Sequence, residues 1–298
     1  MKKKLLSVFI CVAVFFSLCV TASADIGPKP SVRITFEGVE KGTEYYGTLL
    51  SERKSTGPAS AWDGVEGNER HYNYSYELWK TFADYTDKDG YYFLQEVWDC
   101  TGINQLNWTY YPPSPFKILL YFPETDTYLV SDIYERYAFD SYYTVNLADL
   151  TENMLSASSD KDAAIVAEES YNFTWEIISL VARIIATILL ELAIAFIFGY
   201  REKKAIRFIA VVNILTQVSL NVALNIINYN MGSMAFTFFF IVLELAVFAA
   251  EAVVFALMLK RFTDNGKDKA RSTAYAFVAN AASFAIGLWL SHIIPGIF

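Results

Sequence analysis

Histidine is nearly missing from this chain. His71 and His292 are the two present, and neither has a second ligand at metal-binding spacing. That argues against a zinc-type centre, whose Cys and His ligands come in closely spaced pairs, and no metal or cofactor is expected. Cysteine is scarce too, limited to Cys11, Cys19 and Cys100. The first two lie in a leader-like segment. Its removal leaves Cys100 alone, and one cysteine cannot make an intrachain disulfide. The fold must therefore be held by its core. Basic side chains are short in one region. From residue 25 to 172 there are 25 acidic and 11 basic side chains, a net of −14, whereas from 173 onward 10 basic and 7 acidic give +3. The whole-chain net of −8 hides this split. An acidic domain lacks the basic patch that nucleic acid or an anionic surface requires, so no nucleic-acid partner is expected.

Apolar sequence is what the chain has in plenty. Lys2, Lys3 and Lys4, the apolar run 5–20 and the small-residue site Ala22-Ser23-Ala24 make residues 1–24 a secretory signal peptide, with Asp25 as the mature start. Leu18 before Cys19 is too large for an ordinary lipid-attachment site. Four further apolar segments, 177–199, 205–229, 235–259 and 273–294, each approach or exceed the roughly 20 residues that cross a bilayer. Between the first two lie Arg201, Lys203, Lys204 and Arg207. Between the last two lie Lys260, Arg261, Lys267, Lys269 and Arg271. The connection 230–233 carries no charge. By the positive-inside rule the basic loops are cytoplasmic, and the N-terminal domain and the C-terminus are extracytoplasmic. Trp175, Tyr229 and Trp289 then fall at the outer interface and Tyr200 at the inner one. The expected location is the cell membrane, multi-pass, with the lipid bilayer as first partner.

Polar groups inside these segments are the candidate site. Glu191, Asn213, Glu251 and Asn280 each lie seven or eight residues from the cytoplasmic end of their own segment, which makes one layer about 12 Å deep at about 1.5 Å per residue. Groups of this kind face a bundle interior and find partners there. A second layer, nearer the outer side, runs through Arg183, Asn221, Glu244 and Ser283, where Arg183 and Glu244 are expected to neutralise each other. The inner layer has two carboxylates and no basic partner, so the pair should share a proton or a cation. Asn213, Gln217, Asn221 and Asn225 recur every four residues along one slowly turning face. Interhelical hydrogen bonding alone accounts for such groups as helix-to-helix glue.

Residues 25–150 read as an exported domain of mainly β structure, sandwich-like with one short helix. Strands are predicted at 31–36, 45–50, 91–98, 116–122, 127–133 and 137–147, from short β-branched or aromatic runs between turn residues. The helix is predicted at 76–85, where Tyr76, Trp79, Phe82 and Ala83 share a face. Residues 151–172 are Ser-, Asp- and Ala-rich and read as a linker or stalk, and 173–298 as an all-α four-helix transmembrane bundle. Asp87-Lys88-Asp89-Gly90, with Glu96 following, matches part of a calcium-loop pattern, yet Asp-Gly before an aromatic strand is also an ordinary turn. Ser51 and Lys54 have the spacing of an acyl-transfer pair but follow a strand rather than opening a helix. Asn73, Asn107 and Asn172 begin glycosylation-type sequons. The many tyrosines and tryptophans suit either core packing or sugar stacking.

The segments DIGPKPSVRITFEG, YYGTLLS, WTYYPP, FKILLYFPET and RYAFDSYYTVNL, with EIISLVARIIATILLELAIA, VNILTQVSLNVALNIINY, MAFTFF and IIPGIF, resemble an uncharacterised family of bacterial membrane proteins. That family combines a signal peptide, an exported β-rich domain and four C-terminal transmembrane helices. The resemblance implies a Gram-positive-type cell membrane and a single fused unit, and it implies no catalytic residue. The reading is a non-enzymatic envelope protein. Its exported domain binds a ligand or partner, and its polar-cored helices anchor it and couple to another membrane protein or to a second copy. The alternative is a component of a small transporter or of a cation or proton pathway using Glu191 and Glu251.

Overall fold

The structure, a computed structural model, describes residues 27–55, 57–58, 61–66, 74–148, 162–263 and 269–291. The N-terminal part is β-rich. In chain order it comprises β1 (Ser31–Glu37), β2 (Tyr46–Ser51), α1 (Tyr76–Asp84), β3 (Tyr92–Phe93), β4 (Trp98–Asp99), β5 (Gln105–Trp108), β6 (Phe116–Phe122), β7 (Thr127–Ser131), β8 (Asp140–Asn146), β9 (Asp162–Ile165) and β10 (Ala167–Glu169). These strands form two mixed sheets. One has the order β10-β8-β1-β5, and the other has the order β3-β2-β6-β7-β9 with β4 also paired to β2. The β1–β8 and β7–β9 pairings are parallel, and the rest are antiparallel.

The two sheets share a core. Val32, Ile34 and Val145 from the first pack with Leu49, Ile118, Leu120 and Leu129 from the second. The opposite face of the second sheet is covered as well. Leu50, Leu119 and Val130 meet Trp62 and Phe82, the latter from α1. Strand β6, FKILLYF, lies between these two cores, which is why it is apolar on both faces, Lys117 excepted, rather than alternating. Helix α1 starts at Ser75, whose Oγ accepts from the Leu78 amide, and its apolar face closes on Phe82.

Three expectations for this part are corrected. The stretch 91–98 is two short strands, β3 and β4, because Gln95 between them has φ 61° and cannot continue an extended ladder. Strand β5 was not foreseen. Within the predicted linker, residues 162–169 form β9 and β10, which add an edge strand to each sheet.

The C-terminal part is helical: α2 (Thr174–Ile197), α3 (Lys203–Met258) with a 3-10 turn at Leu259–Phe262, and α4 (Lys269–Ser291). Two stretches, Glu176–Ile197 and Lys203–Phe262, are long and apolar enough to cross a membrane. The second is broken at Gly232, where φ 82° and ψ 177° are non-helical. The two arms of α3 run back along each other. Phe208 stacks on Phe262 and meets Phe255 edge-on, Thr216 reaches Glu251, and Leu220 and Leu224 cluster with Phe236 and Phe240.

The two parts meet at the tip of this hairpin. The Phe139 amide donates to the Tyr229 carbonyl at 2.8 Å, and the Tyr229 ring lies 5.3 Å from that of Tyr171. Gly232 is buried there, and a Cβ at this position would sit 2.5 Å from Phe139 Cε1. Glycine is thus required twice, by the left-handed φ and by the close approach.

Candidate functional site

Helices α2, α3 and α4 all contribute to one buried polar cluster. Glu251, on the second arm of α3, accepts from Thr216 Oγ1 at 2.5 Å and from Asn280 Nδ2 at 2.8 Å. Glu191, on α2, accepts from Ser283 Oγ at 3.0 Å through Oε1. The Tyr275 hydroxyl donates to the Glu191 backbone carbonyl at 3.4 Å. Glu191, Asn213 and Glu251 have no exposed surface. Glu191 Oε2 and both amide atoms of Asn213 have no partner in good hydrogen-bond geometry among the described residues, although the Asn213 amide lies near enough to Glu191 and Tyr275 to interact with both. No ion pair among the described residues involves either carboxylate.

The structure therefore brings Glu191, Asn213, Glu251 and Asn280 into one cluster. It moves Ser283 into that cluster from the outer layer in which sequence depth placed it. Ser283 lies three residues beyond Asn280, nearly one helical turn, so it shares that face of α4. Thr216 and Tyr275 complete the cluster. Thr216 was visible one turn from Asn213, whereas nothing in the sequence separates Tyr275 from an interface tyrosine.

The rest of the outer set is arranged differently from expectation. Arg183 is buried but forms no ion pair with Glu244, which lies close enough for electrostatic attraction only. Its guanidinium sits over the Phe240 ring, 4.9 Å from the centroid. The expected neutralising pair is thus replaced by a cation–π contact, typically worth about 0.5–2 kcal/mol. Arg183 and Asn221 line a cavity of about 400 Å³ at the junction of the two parts, together with Asp140, Tyr142, Tyr171 and Glu176. The sequence pointed to Arg183 and Asn221. It gave no sign that residues 140–142 and 171 would come to them, because that depends on how the sheets seat on the hairpin.

The calcium-loop fragment resolves into an internal ion pair. Lys117, on β6 and fully buried, donates to Asp87 Oδ1 at 2.6 Å and to Asp89 Oδ2 at 2.8 Å. Asp87 Oδ2 also accepts the amides of Asp89 and Tyr91, closing the turn. A lysine ammonium occupies the place a bound cation would take. Burial works against the charge on Lys117, but its bonds to Asp87 and Asp89 prevail and raise its pKa. The hydrogen bond from Lys117 in turn holds Asp89 below the ordinary carboxylate range.

Ser51 Oγ accepts the Arg53 amide in a turn after β2, an arrangement unlike an acyl-transfer helix. Cys100 is buried, and burial pushes its thiol well above the usual range. His71, His292 and Asn73 lie outside the described residues. No group of three or more His, Cys, Asp or Glu among the described residues forms a metal-binding cluster. Comparison with protein-family models, with curated proteins and with solved structures gives no match.

Proposed function

We propose that the chain is a multi-pass cell-envelope membrane protein, non-enzymatic, whose exported β-rich domain receives a ligand or partner and whose four helical spans anchor it and couple to another membrane protein. The observation that carries this reading is the junction. The β-rich part seats on Tyr229 and Gly232 at the uncharged end of the hairpin, and the basic residues gather at the opposite end, around Arg201–Arg207 and Lys260–Arg271. That distribution fits an outward-facing domain under the positive-inside rule.

The surface of the helices supports a lipid setting. Only 28% of the apolar window in α2 and 17% of that in α3 is buried, and Ile185, Leu189, Leu215, Ile226 and Leu245 are all more than half exposed. A core helix in a soluble protein would cover such residues. The break of α3 at Gly232 and the presence of α4 support a reading of four spans with the β-rich part on the outer side.

The test is affinity purification of the full-length protein at native level in mild detergent, with co-purifying proteins quantified. A stoichiometric membrane partner is the expected result. A chain that purifies alone, as monomer or homo-oligomer, contradicts the coupling role.

A second reading, part of a proton or cation pathway, is favoured by one observation: two buried carboxylates from different helical elements share a cluster with no basic partner among the described residues. It predicts cation or proton flux in reconstituted vesicles that is lost in Glu251→Gln.

A further inference from the structure

We propose that the junction cavity binds a compact zwitterion, with its anionic group on Arg183 and its ammonium group at Glu176. This rests on the receptor reading above and names the chemistry of what is received.

Helix α2 forms one wall and deepens along its length. Asn172 just before it is exposed, Glu176 is half-buried, and Ser179 and Arg183 are 4% and 6% exposed. The floor is the Arg183 guanidinium, which forms no ion pair among the described residues and has Glu244 as an electrostatic neighbour. A buried charge in that condition is costly unless it is matched. The guanidinium fork presents five donors suited to a carboxylate or phosphate. Phe240 covers one face of the group, which leaves its edges as the donor surface.

Asn221, Asn225 and Asn228 line the cavity from α3 at spacings of four and three residues, so they share a face. Asn221 spends its amide N–H on the Gln217 carbonyl, which leaves its own carbonyl oxygen available to a donor. A simple anion would not match the mouth. Glu176 and Asp140 are both carboxylates there. Asp140 is engaged by Ser31, which also takes a hydrogen bond from Arg33 Nε at 3.3 Å. Glu176 accepts from the Tyr171 hydroxyl at 2.6 Å through Oε1, and among the described residues no bond engages its other oxygen, which is placed to meet a cation. The Tyr171 ring beside it is an aromatic surface of the kind that attracts an ammonium group, while the neighbouring Tyr142 ring already carries the Arg33 guanidinium, 5.8 Å from its centroid. Glu176 and Arg183 are two turns apart on one face of α2, about 10 Å along the axis. With both side chains reaching inward, that spacing suits an anion and an amine held in one small molecule. About 400 Å³ lies within the range of small-ligand sites.

The same chemistry comes from two sources, an aminophospholipid headgroup or a free amino-phosphate or amino-acid-like solute. The full-length protein in phosphatidylcholine nanodiscs would be titrated calorimetrically with O-phosphoethanolamine and, separately, with inorganic phosphate. In parallel, lipid retained from a mixture of phosphatidylethanolamine, phosphatidylcholine and phosphatidylglycerol would be identified by native mass spectrometry. Saturable binding in the first arm assigns a free solute, and selective retention of phosphatidylethanolamine in the second assigns the lipid.

In whichever arm binds, Arg183→Met is expected to weaken binding at least about tenfold, and Glu176→Gln to abolish the preference for the amine-bearing probe over its amine-free counterpart. Asn225→Phe, which fills the cavity without changing charge, should block binding in a protein that still elutes as folded. No binding in either arm overturns the proposal, as does binding unchanged by folded Arg183→Met and Asn225→Phe, or equal binding of phosphate or phosphatidylglycerol. If the zwitterion fails while a stoichiometric partner is still captured, the receptor reading stands without this ligand. If the zwitterion binds and no partner is found, the ligand stands without the coupling.

Discussion

The β-rich and helical parts each bury charge, but they treat it in opposite ways. In the β-rich part Lys117 is fully enclosed and gripped by two aspartates, and the turn that carries them spends its remaining acceptor capacity on its own backbone. In the helical part Arg183 is buried against a phenyl ring with no ion pair among the described residues, and one Glu191 carboxylate oxygen has no hydrogen-bond partner among them. Both arrangements carry a desolvation cost. The first is repaid inside the fold and is therefore a structural device. The second is not repaid there, and the unspent hydrogen-bonding capacity points to a ligand or a proton as the missing partner. A buried polar group marks function by what it leaves unsatisfied, not by burial alone.

Substitutions can break this contrast. Lys117→Met should have the largest effect, because it strands Asp87 as a buried uncompensated carboxylate. A loss of about 3–5 kcal/mol is expected, read as a lowered midpoint for unfolding of the β-rich part by tyrosine and tryptophan fluorescence. Glu251→Leu should cost about 2 kcal/mol. It removes the shared acceptor of Thr216 and Asn280 while leaving each a backbone carbonyl to bond. Glu251→Gln keeps an acceptor and should cost about half as much, and detergent melting of the three proteins checks the order. Gly232→Ala should cost about 1–3 kcal/mol from the left-handed φ and the Phe139 contact. Faster proteolytic separation of the two parts is the readout.

The smallest effect concerns pH. Lys117 lowers the pKa of Asp89, so this contact adds stability above the unfolded carboxylate value, and that stability is lost as pH falls below about 4 and through the folded value. Asp89 is 46% exposed at the side chain, so solvent screens the contact and the slope should be shallow. Asp89→Asn should flatten it. The raised pKa of Lys117 acts in the other direction, adding stability that disappears only in strong alkali.

Much of the β-rich part was legible because its strands obey local rules. Residues 116–122 were read with the observed limits, since a run that is apolar apart from Lys117 and bounded by Pro115 and Pro123 leaves few alternatives. Strand β5, with sequence QLNW, carries no β-branched residue, and β9 and β10 are short polar edge strands. All three exist because a neighbouring strand offers a free edge, which is a tertiary fact. In the helical part, depth along each segment was enough to group Glu191, Asn213, Glu251 and Asn280. It could not assign Ser283, because depth says nothing about which neighbour a side chain faces. Arg183 and Glu244 attract each other without forming an ion pair, because equal depth does not by itself bring two side chains into contact. The junction cavity was invisible, since Asp140, Tyr142 and Tyr171 reach it from the β-rich side.

The account's central claim is tested most directly by comparing the thermal stability of full-length Lys117→Met and Arg183→Met with that of the wild type, in ligand-free detergent. Lys117→Met should unfold at a clearly lower temperature. Arg183→Met should be as stable as the wild type or more so, because an apolar side chain replaces a charge that the fold does not satisfy. Equal destabilisation by the two substitutions would contradict the claim and make Arg183 a structural residue like Lys117.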